Sequence, residues 1–578
     1  MKNNLITSML LLFIFINCSS TEKRVDIGLL FPCISESKNF KAPTNIEKLR
    51  FLVVQKDNQA SKVIQDVSVV YESGKRIELK VKDGENIKIV VEGYDIDGNV
   101  IAGGQTDYLN LNENSSVSII ISTVDSFFQT TNVSNQDCTE IPQGLEGATI
   151  TPLPDGNVLI AGGVRRDGSS RFYSSSLYLY NFNTGTYEEI KTGDDIKEFG
   201  TRAYHTATLY NKGTDEKPEW KVLLSGGLTY INGREESVIS AEIYDVKSKT
   251  VKLLSENMKS ARVYHTATLM QNGVIAIIGG ENRVEGKIEN YYDTVELFDI
   301  HEEKFYTINA KMAYGRSRHS ATYLPLRYNV TDGTLVPGFD KILVAGGIRA
   351  TNNSLYINDS MEIFGCTNVS CTDYRFDIVR KRDNTTLNMM WRRYGHQAVP
   401  VMIGAEPIID SDDEFHNFYV LFIGGYTCIG IERCAGTIFS ADCNCPNNNV
   451  FGSITKNIEI FEYTNSQGSQ IRYNTEMRTP RADFGAVYIP RDTNNILIFG
   501  GYTTSGSVTN LVETMTVGNN NVTTPEIFSS KLLFPRADFG YGILKNGLIM
   551  IAGGNNGKIS SSSLSSVEMF NPYLRANY

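Results

Sequence analysis

Seven times along this chain a short apolar run ends in paired glycines: "VLIAGG" to Gly163, "VLLSGG" to Gly227, "AIIGG" to Gly280, "ILVAGG" to Gly347, "VLFIGG" to Gly425, "ILIFGG" to Gly501 and "LIMIAGG" to Gly554. Each run has the length and composition of a buried strand. Paired glycines let the backbone turn with positive φ and let neighbouring chains approach closely. A strand that recurs in this way needs copies of itself to cover its two faces, so the repeat constrains the fold more than any local motif. One further match, "VIAGG" ending at Gly104, lacks the companions described next and is read as a decoy.

Two more elements accompany the doublets. Upstream, an Arg stands three residues before a His or Phe: Arg202 with His205, Arg262 with His265, Arg316 with His319, Arg393 with His396, Arg481 with Phe484 and Arg536 with Phe539. The first unit carries Gln143 and Glu146 in "QGLEGATI" as a degenerate copy. Downstream, an alternating strand places Glu two before an aromatic: Glu242, Glu296, Glu362, Glu459 and Glu568. Glu513 in "VETM" is a weaker copy, and Tyr178 holds the place in the first unit. Turn-like stretches such as "DVKSKT" follow and lead to another short strand. Each unit therefore reads as four strands.

Together these marks resemble the kelch repeat family, whose units form the four-stranded blades of a β-propeller. The resemblance covers residues 125–578 and implies an all-β fold with a seven-bladed kelch-type propeller. The Trp common in the last strand of a kelch unit is replaced by Tyr187, Val251 or Phe305, so the outer packing must differ. A spacing of about 65 residues exceeds the usual ~50 and implies long loops. The seventh unit stops soon after "VEMFNPY" without room for a fourth strand. The segment "SFFQTTN", Ser126 to Asn132, is predicted to supply it, which ties both ends of the domain together and protects the sheet edges.

Residues 45–124 carry their own alternation and resemble a small Ig-like sandwich. Within them "DIDGN", Asp95 to Asn99, reads as a hairpin turn, because Thr106 stands where a calcium loop needs Glu. Further upstream, Lys2 and "LITSMLLLFIFI" have the charged start and apolar core of an export signal. Cys18 in "FINCSS" resembles the lipobox of bacterial lipoproteins, in the relaxed, spirochaete-like form that tolerates Asn17. The expectation is a signal peptide over residues 1–18, lipid on Cys18 and a tether over 19–44 holding the protein to the cell envelope. Cleavage after Ser20 without lipid is the alternative. Eight other cysteines remain, and in an oxidising compartment they read as disulfides. Cys366 and Cys371 can close a short loop, Cys33 and Cys138 flank the N-terminal region, and Cys428, Cys434, Cys443 and Cys445 fall within eighteen residues. Those four lack the CxxC pairs of the usual zinc sites.

A formal charge of −10 without a basic run sets nucleic acid aside as a partner. Equivalent histidines in neighbouring blades stand roughly 9 Å apart, whereas two bonds to one metal span at most ~4 Å. Phe also replaces His in two units, so the slot reads as structural. The Arg and the Glu are lost together in the first unit, which suggests that they pair within a blade, since an unpartnered buried charge is unfavourable. Galactose oxidase and related copper radical oxidases use such a propeller, with a Tyr-His pair like Tyr204-His205 or Tyr264-His265. Leu564, however, stands near the place where their second copper His is expected, so no metal is assigned. No phosphate-cradling glycine motif, serine elbow or zincin helix is present. Units two, four and five are lengthened between the His/Phe slot and the doublet, and unit five again after it in "YTCIGIERCAGTIFSADCNCPNNN". A loop braced by disulfides suits recognition. The expected role is an exported, lipid-anchored binding protein for a protein or glycan, with no cofactor and no assigned catalytic residue. The alternative is a sugar-processing enzyme similar to the periplasmic kelch sialate mutarotases.

Overall fold

The computed structural model describes residues 23–33, 43, 45–56, 61–72, 77–81, 85–111, 115–132, 137–168, 170–182, 184–190, 200–324, 340–351, 354–367, 371–381, 383–402, 418–427, 453–463, 469–489, 495–504, 506–518, 522–557 and 562–572. Among these residues every regular element is a strand. The chain divides into two compact units, one from residues up to Leu30 with Asn45–Ile120, the other from Phe31–Thr44 with Ile121–Asn577. Cys18 and the cysteines at 428, 434, 443 and 445 lie outside the described residues.

The first unit corrects one expectation. Lys23–Leu30, read from sequence as part of a tether, is a strand that pairs antiparallel with Ile77–Val81 and parallel with Ser115–Ile120. Its alternation explains why: Val25 and Ile27 face inward, 0% and 3% exposed, and would otherwise lie bare. A second sheet joins Ser61–Val70, Lys48–Lys56, Ile87–Tyr94 and Val100–Gln105 in that order. The last of these contains the decoy "VIAGG". Asp95 turns the hairpin before it, accepting the Asn99 amide at 2.7 Å.

The second unit contains seven four-stranded antiparallel sheets, the organisation of a kelch-like β-propeller. Sheet two is representative: Thr206–Asn211, Trp220–Ser225, Ala241–Asp245 and Thr250–Leu253. The apolar run before each doublet is its second strand, and alternate side chains serve opposite neighbours. Val222 and Leu224 pack with Leu159 and Leu179 of sheet one. Leu223 packs with Ile275 and Ile277 of sheet three. First strands of sheets one to six lie side by side in succession, and that of the seventh, Gly540–Ile543, lies beside that of the first, Thr149–Pro152. The fourth strand of the seventh sheet is Ser126–Gln129, paired with Val567–Asn571 so that Phe127 stacks on Phe570 at 4.7 Å. Cys33 is bonded to Cys138 and its amide donates to Gln129, fastening that strand. Cys366 is bonded to Cys371 across a short loop.

The repeated residues form one assembly. In sheet three the fully buried Arg262 donates to the carbonyl of Gly279, the first glycine of its own doublet, at 2.8 Å, and pairs with Glu296 of the third strand at 2.6 Å. Glu296 also accepts the amides of Lys259 and Ser260, so the carboxylate clamps the segment that leads into the sheet. The same pairing joins Arg202 to Glu242, Arg316 to Glu362, Arg393 to Glu459, Arg481 to Glu513 and Arg536 to Glu568. The arginine carbonyl then accepts the amide of the second glycine of the preceding doublet, as Arg262 does from Gly227 at 2.9 Å. Gly554 donates in the same way to Leu145, which links the last sheet to the first.

That bond shifts the reading of the first unit by two residues. Leu145, not Gln143, holds the arginine position, and Ala148, not Glu146, holds the histidine position. Backbone geometry agrees: Gly147 matches Tyr204 in its positive φ (64° and 54°), and Glu146 bridges Val164 as Ala203 bridges Leu228. The polar residues of "QGLEG" resemble the motif by type and not by place. Gln143 instead donates to Ser174 at 2.8 Å.

The histidines explain both the doublets and the hexapeptide YHTATL, found at Tyr204 and Tyr264. Nε2 of His265 lies 3.0 Å from the Thr206 hydroxyl of the preceding sheet, and His205, His319 and His396 meet Thr149, Thr266 and Ser320 likewise. The Thr that follows one His is thus the partner of the next. Each ring lies over the first glycine of the preceding doublet; a Cβ on Gly226 would stand 2.6 Å from His265 Cε1. Phe484 and Phe539 cover Gly424 and Gly500 in the same manner without the polar bond.

Two outcomes follow. Arg262→Ala and Glu296→Ala should each destabilise by about 3–5 kcal/mol, and the double variant should lose far less than the sum; additive losses in urea unfolding would refute the staple. Burial, then the charges of Arg262 and His319, lowers His265 to about 3. Its contribution is therefore complete above the unfolded value near 6.5 and is lost as pH falls from there toward 3. His265→Phe should flatten the acid side of the stability profile, read as urea midpoints at about pH 7 and 4.5.

Candidate functional site

A cavity of about 590 Å3 opens among the sheets of the second unit. Two positions per unit build most of it. One lies two residues after the arginine position, where the chain takes a left-handed turn at Gly147, Tyr204, Tyr264, Arg318, Gly395, Asp483 and Asp538, with φ between 48° and 64°. These seven are joined in succession by backbone bonds: Arg318 donates to Tyr264, Gly395 to Arg318, Asp483 to Gly395, Asp538 to Asp483, Gly147 to Asp538 and Tyr204 to Gly147. The second position follows each doublet and supplies Leu228, Glu281, Ile348, Tyr426 and Tyr502 to the lining. Hairpins that continue from it add Arg166, Arg171, Glu235 and Arg283.

Most charges in the wall are satisfied. Glu146 accepts from Arg166 at 2.6 Å and from the Tyr204 hydroxyl. Glu235 pairs with Arg171 and with Arg283 at 3.1 Å, and Glu281 pairs with Arg283 at 2.8 Å while accepting the Ser317 hydroxyl. Tyr426 donates to Asp483 at 2.9 Å, and the Tyr502 hydroxyl lies 3.1 Å from Asp538. Arg318 differs. Its guanidinium lies over the Tyr264 ring, 3.6 Å from the centroid, and forms no side-chain hydrogen bond or ion pair among the described residues. Burial opposes its charge, but Tyr264, Asp483, Glu281 and Asp538 outweigh that effect and hold its proton more tightly than usual. Burial, then the Asp483 and Glu146 charges, pushes Asp538 well above the usual carboxylate range. Among the described residues four arginines share the lining with five carboxyl groups, and the cavity presents donors, acceptors and tyrosine faces together.

The repeated Arg, Glu and His residues are absent from this lining. They form the frame, and the cavity uses the unlike residues set between them. The signal in the sequence was variation within constancy: Gly, Tyr, Tyr, Arg, Gly, Asp and Asp follow one another at a single slot of an otherwise regular repeat. The lengthened segments of units two, four and five depart from the expected position too. In unit two the turn between Asn211 and Trp220 closes the end of the sheet opposite the doublet, away from the cavity. The corresponding segments 325–339 and 403–417 lie outside the described residues. The other insertion of unit five, residues 428–452, also lies outside them but follows Tyr426 and Thr427, and Tyr426 lines the cavity.

Among the described residues the lining contains no histidine. Tyr204 points into the cavity while its neighbour His205 is engaged behind it with Thr149, so this Tyr-His pair cannot converge on one copper ion. Among the described residues, Asp340, Cys366 and Cys371 are grouped closely enough to share a metal, but the two sulfurs are bonded to each other.

No protein-family profile and no curated protein matches the sequence. Among solved structures the chain is similar to YjhT, with a TM-score of 0.43 and 14% identity over 67% of this chain and 99% of that one. It is also similar to a fungal alcohol oxidase of the AA5 family in complex with copper, with a TM-score of 0.44 and 15% identity over 75% of each chain.

Asp538 supplies the prediction. A carboxyl raised on folding adds stability that is complete below the unfolded value near 4 and is lost as pH rises through the native value. Asp538→Asn should therefore gain on the parent protein as pH rises from about 4.5 to 8. Urea midpoints that keep a constant difference across that range would contradict the assignment.

Proposed function

We propose that this chain is an exported protein, anchored in the cell envelope through lipid on Cys18, in which a small Ig-like sandwich accompanies a seven-bladed kelch-type propeller that binds a glycan in its axial cavity. One observation carries the ligand class: Arg318 holds unengaged donors against a tyrosine face in a space suited to a sugar. Pockets of roughly 300–1,000 Å3 with a few convergent polar groups take small ligands, and a protein surface would need a far broader contact. The cysteine-bearing insertion of unit five, which lies outside the described residues, is read as a recognition element.

A second reading has its own support. Asp538, whose carboxyl burial holds above the usual carboxylate range, stands next in the ring to Asp483, which accepts from Tyr426, and two neighbouring carboxyls in unlike surroundings are what acid-base conversion of a sugar requires. Binding and turnover separate cleanly in one experiment. The full-length chain is screened on a glycan array, and each sugar retained is incubated with the protein and followed by proton NMR. Arg318→Ala should weaken retention at least about tenfold with the fold intact, as judged by circular dichroism. Unaltered retention would remove the cavity as the site, and chemical change of the sugar would establish the enzyme reading.

A further inference from the structure

The mouth of the cavity is uneven. Sheets one, two and three each project a two-stranded hairpin: Val164–Asp167 with Ser170–Tyr173, Leu228–Ile231 with Arg234–Ser237, and Glu281–Val284 with Lys287–Tyr291. Polar contacts join the three into one strip. Glu235 of the middle hairpin holds Arg171 on one side and Arg283 on the other, the Tyr173 hydroxyl donates to Glu235, and the Gly286 amide donates to the Glu235 carbonyl. Arg234 and Glu285 pair nearer the tips. Sheets six and seven have no hairpin of this kind among the described residues.

Alternation along a strand sorts the side chains of this strip. Arg166, Arg171, Glu235, Arg283 and Ile288 line the cavity. Tyr173 is two residues from Arg171 and Tyr230 pairs across from Glu235, so both belong to the cavity side. Their rings stack in parallel at 6.2 Å, and Tyr230 remains 49% exposed. Ile288 on the third hairpin is 40% exposed. Phe172, also half exposed, falls on the reverse side with Arg165 beneath its ring. The cavity side thus continues outward as a surface built on a stacked tyrosine pair beside the Glu235 ion pairs. Such a face offers a sugar ring both apolar contact and hydrogen-bonding groups, and its rigidity limits the ordering needed on binding.

On the reading of the cavity as a glycan site, we propose that the cavity-facing side of these three hairpins, centred on Tyr230 and the Glu235 ion pairs, is a second subsite that holds the next sugar unit of a chain whose end occupies the cavity. The preferred ligand is then an oligosaccharide terminus and not a free monosaccharide.

The test uses the full-length chain on an array of oligosaccharides, followed by calorimetric titration of each retained oligosaccharide beside the free monosaccharide of its terminal unit. The oligosaccharide should bind at least about tenfold more tightly, and Tyr230→Ala should remove most of that advantage while leaving monosaccharide affinity unchanged. Phe172→Ala, an equally exposed aromatic on the reverse side, should change neither. Arg318→Ala should weaken both ligands. Equal affinity for the two ligands, or equal effects of Tyr230→Ala and Phe172→Ala, would overturn the subsite and leave the cavity reading standing. Failure of every sugar to bind would overturn both.

Discussion

Everything in the larger unit depends on a guanidinium taken out of water. The six arginines of the repeated slot are fully buried, a position that is unfavourable unless nearly every donor finds an acceptor. Burial lowers each from its ordinary value, with the partner glutamate acting in the opposite direction. The acceptors come from two separate stretches of chain: the doublet carbonyl that ends the second strand, and the start of the third strand, which supplies the carboxylate and, two residues before it, a further oxygen. Satisfying one side chain therefore fixes the mutual placement of a whole sheet. The backbone carbonyl of the same residue accepts from the preceding doublet, so each link between sheets starts from the residue that orders the sheet itself. Sheet one, with Leu145 and Tyr178 at these places, keeps the backbone link and lacks the charges.

The glycine doublets follow from that constraint. Both residues have positive φ, and the first lies beneath the ring of the next unit's His or Phe, where a methyl group would overlap. His and Phe exchange at this slot because its main demand is a flat ring. The hydrogen bond to Thr or Ser is an addition where the preceding strand offers a hydroxyl, as Thr206 does for His265. Where the strand begins with Gly485 or Gly540 instead, the space is taken by Phe499 or Ile150.

Much of this frame was legible in the sequence because it is written seven times. The strands before the doublets, the Arg and Glu partners and the late-closing strand at Ser126 all emerged from comparing copies. Three things were not legible, for different reasons. The register of the first unit was misplaced because Gln143 and Glu146 imitate the motif in polarity, whereas the true equivalents are apolar. Lys23–Leu30 reads as a tether in sequence because an isolated eight-residue alternation has no visible partner; its partners, Ile77–Val81 and Ser115–Ile120, are supplied only by folding. The cavity was hidden for a deeper reason. A repeat announces itself through residues that recur, and binding in a near-symmetric frame requires residues that break the symmetry. Arg318, Asp483 and Asp538 stand at one structural position and share no chemistry that a search for repeats could detect.

The strand that completes the seventh sheet is made early and used last. Ser126–Gln129 pairs with Val567–Asn571, and hydrogen bonds there join residues separated by more than four hundred positions, such as Ser530 and Phe127. Loop-closure entropy makes such contacts slow, and here no shorter route to the same sheet exists. During synthesis the first sheets emerge with an exposed edge and remain unclosed until Val567–Asn571 arrives. The time spent by this protein in an incomplete, adhesive state is thus set by the more than four hundred residues that separate the two paired strands.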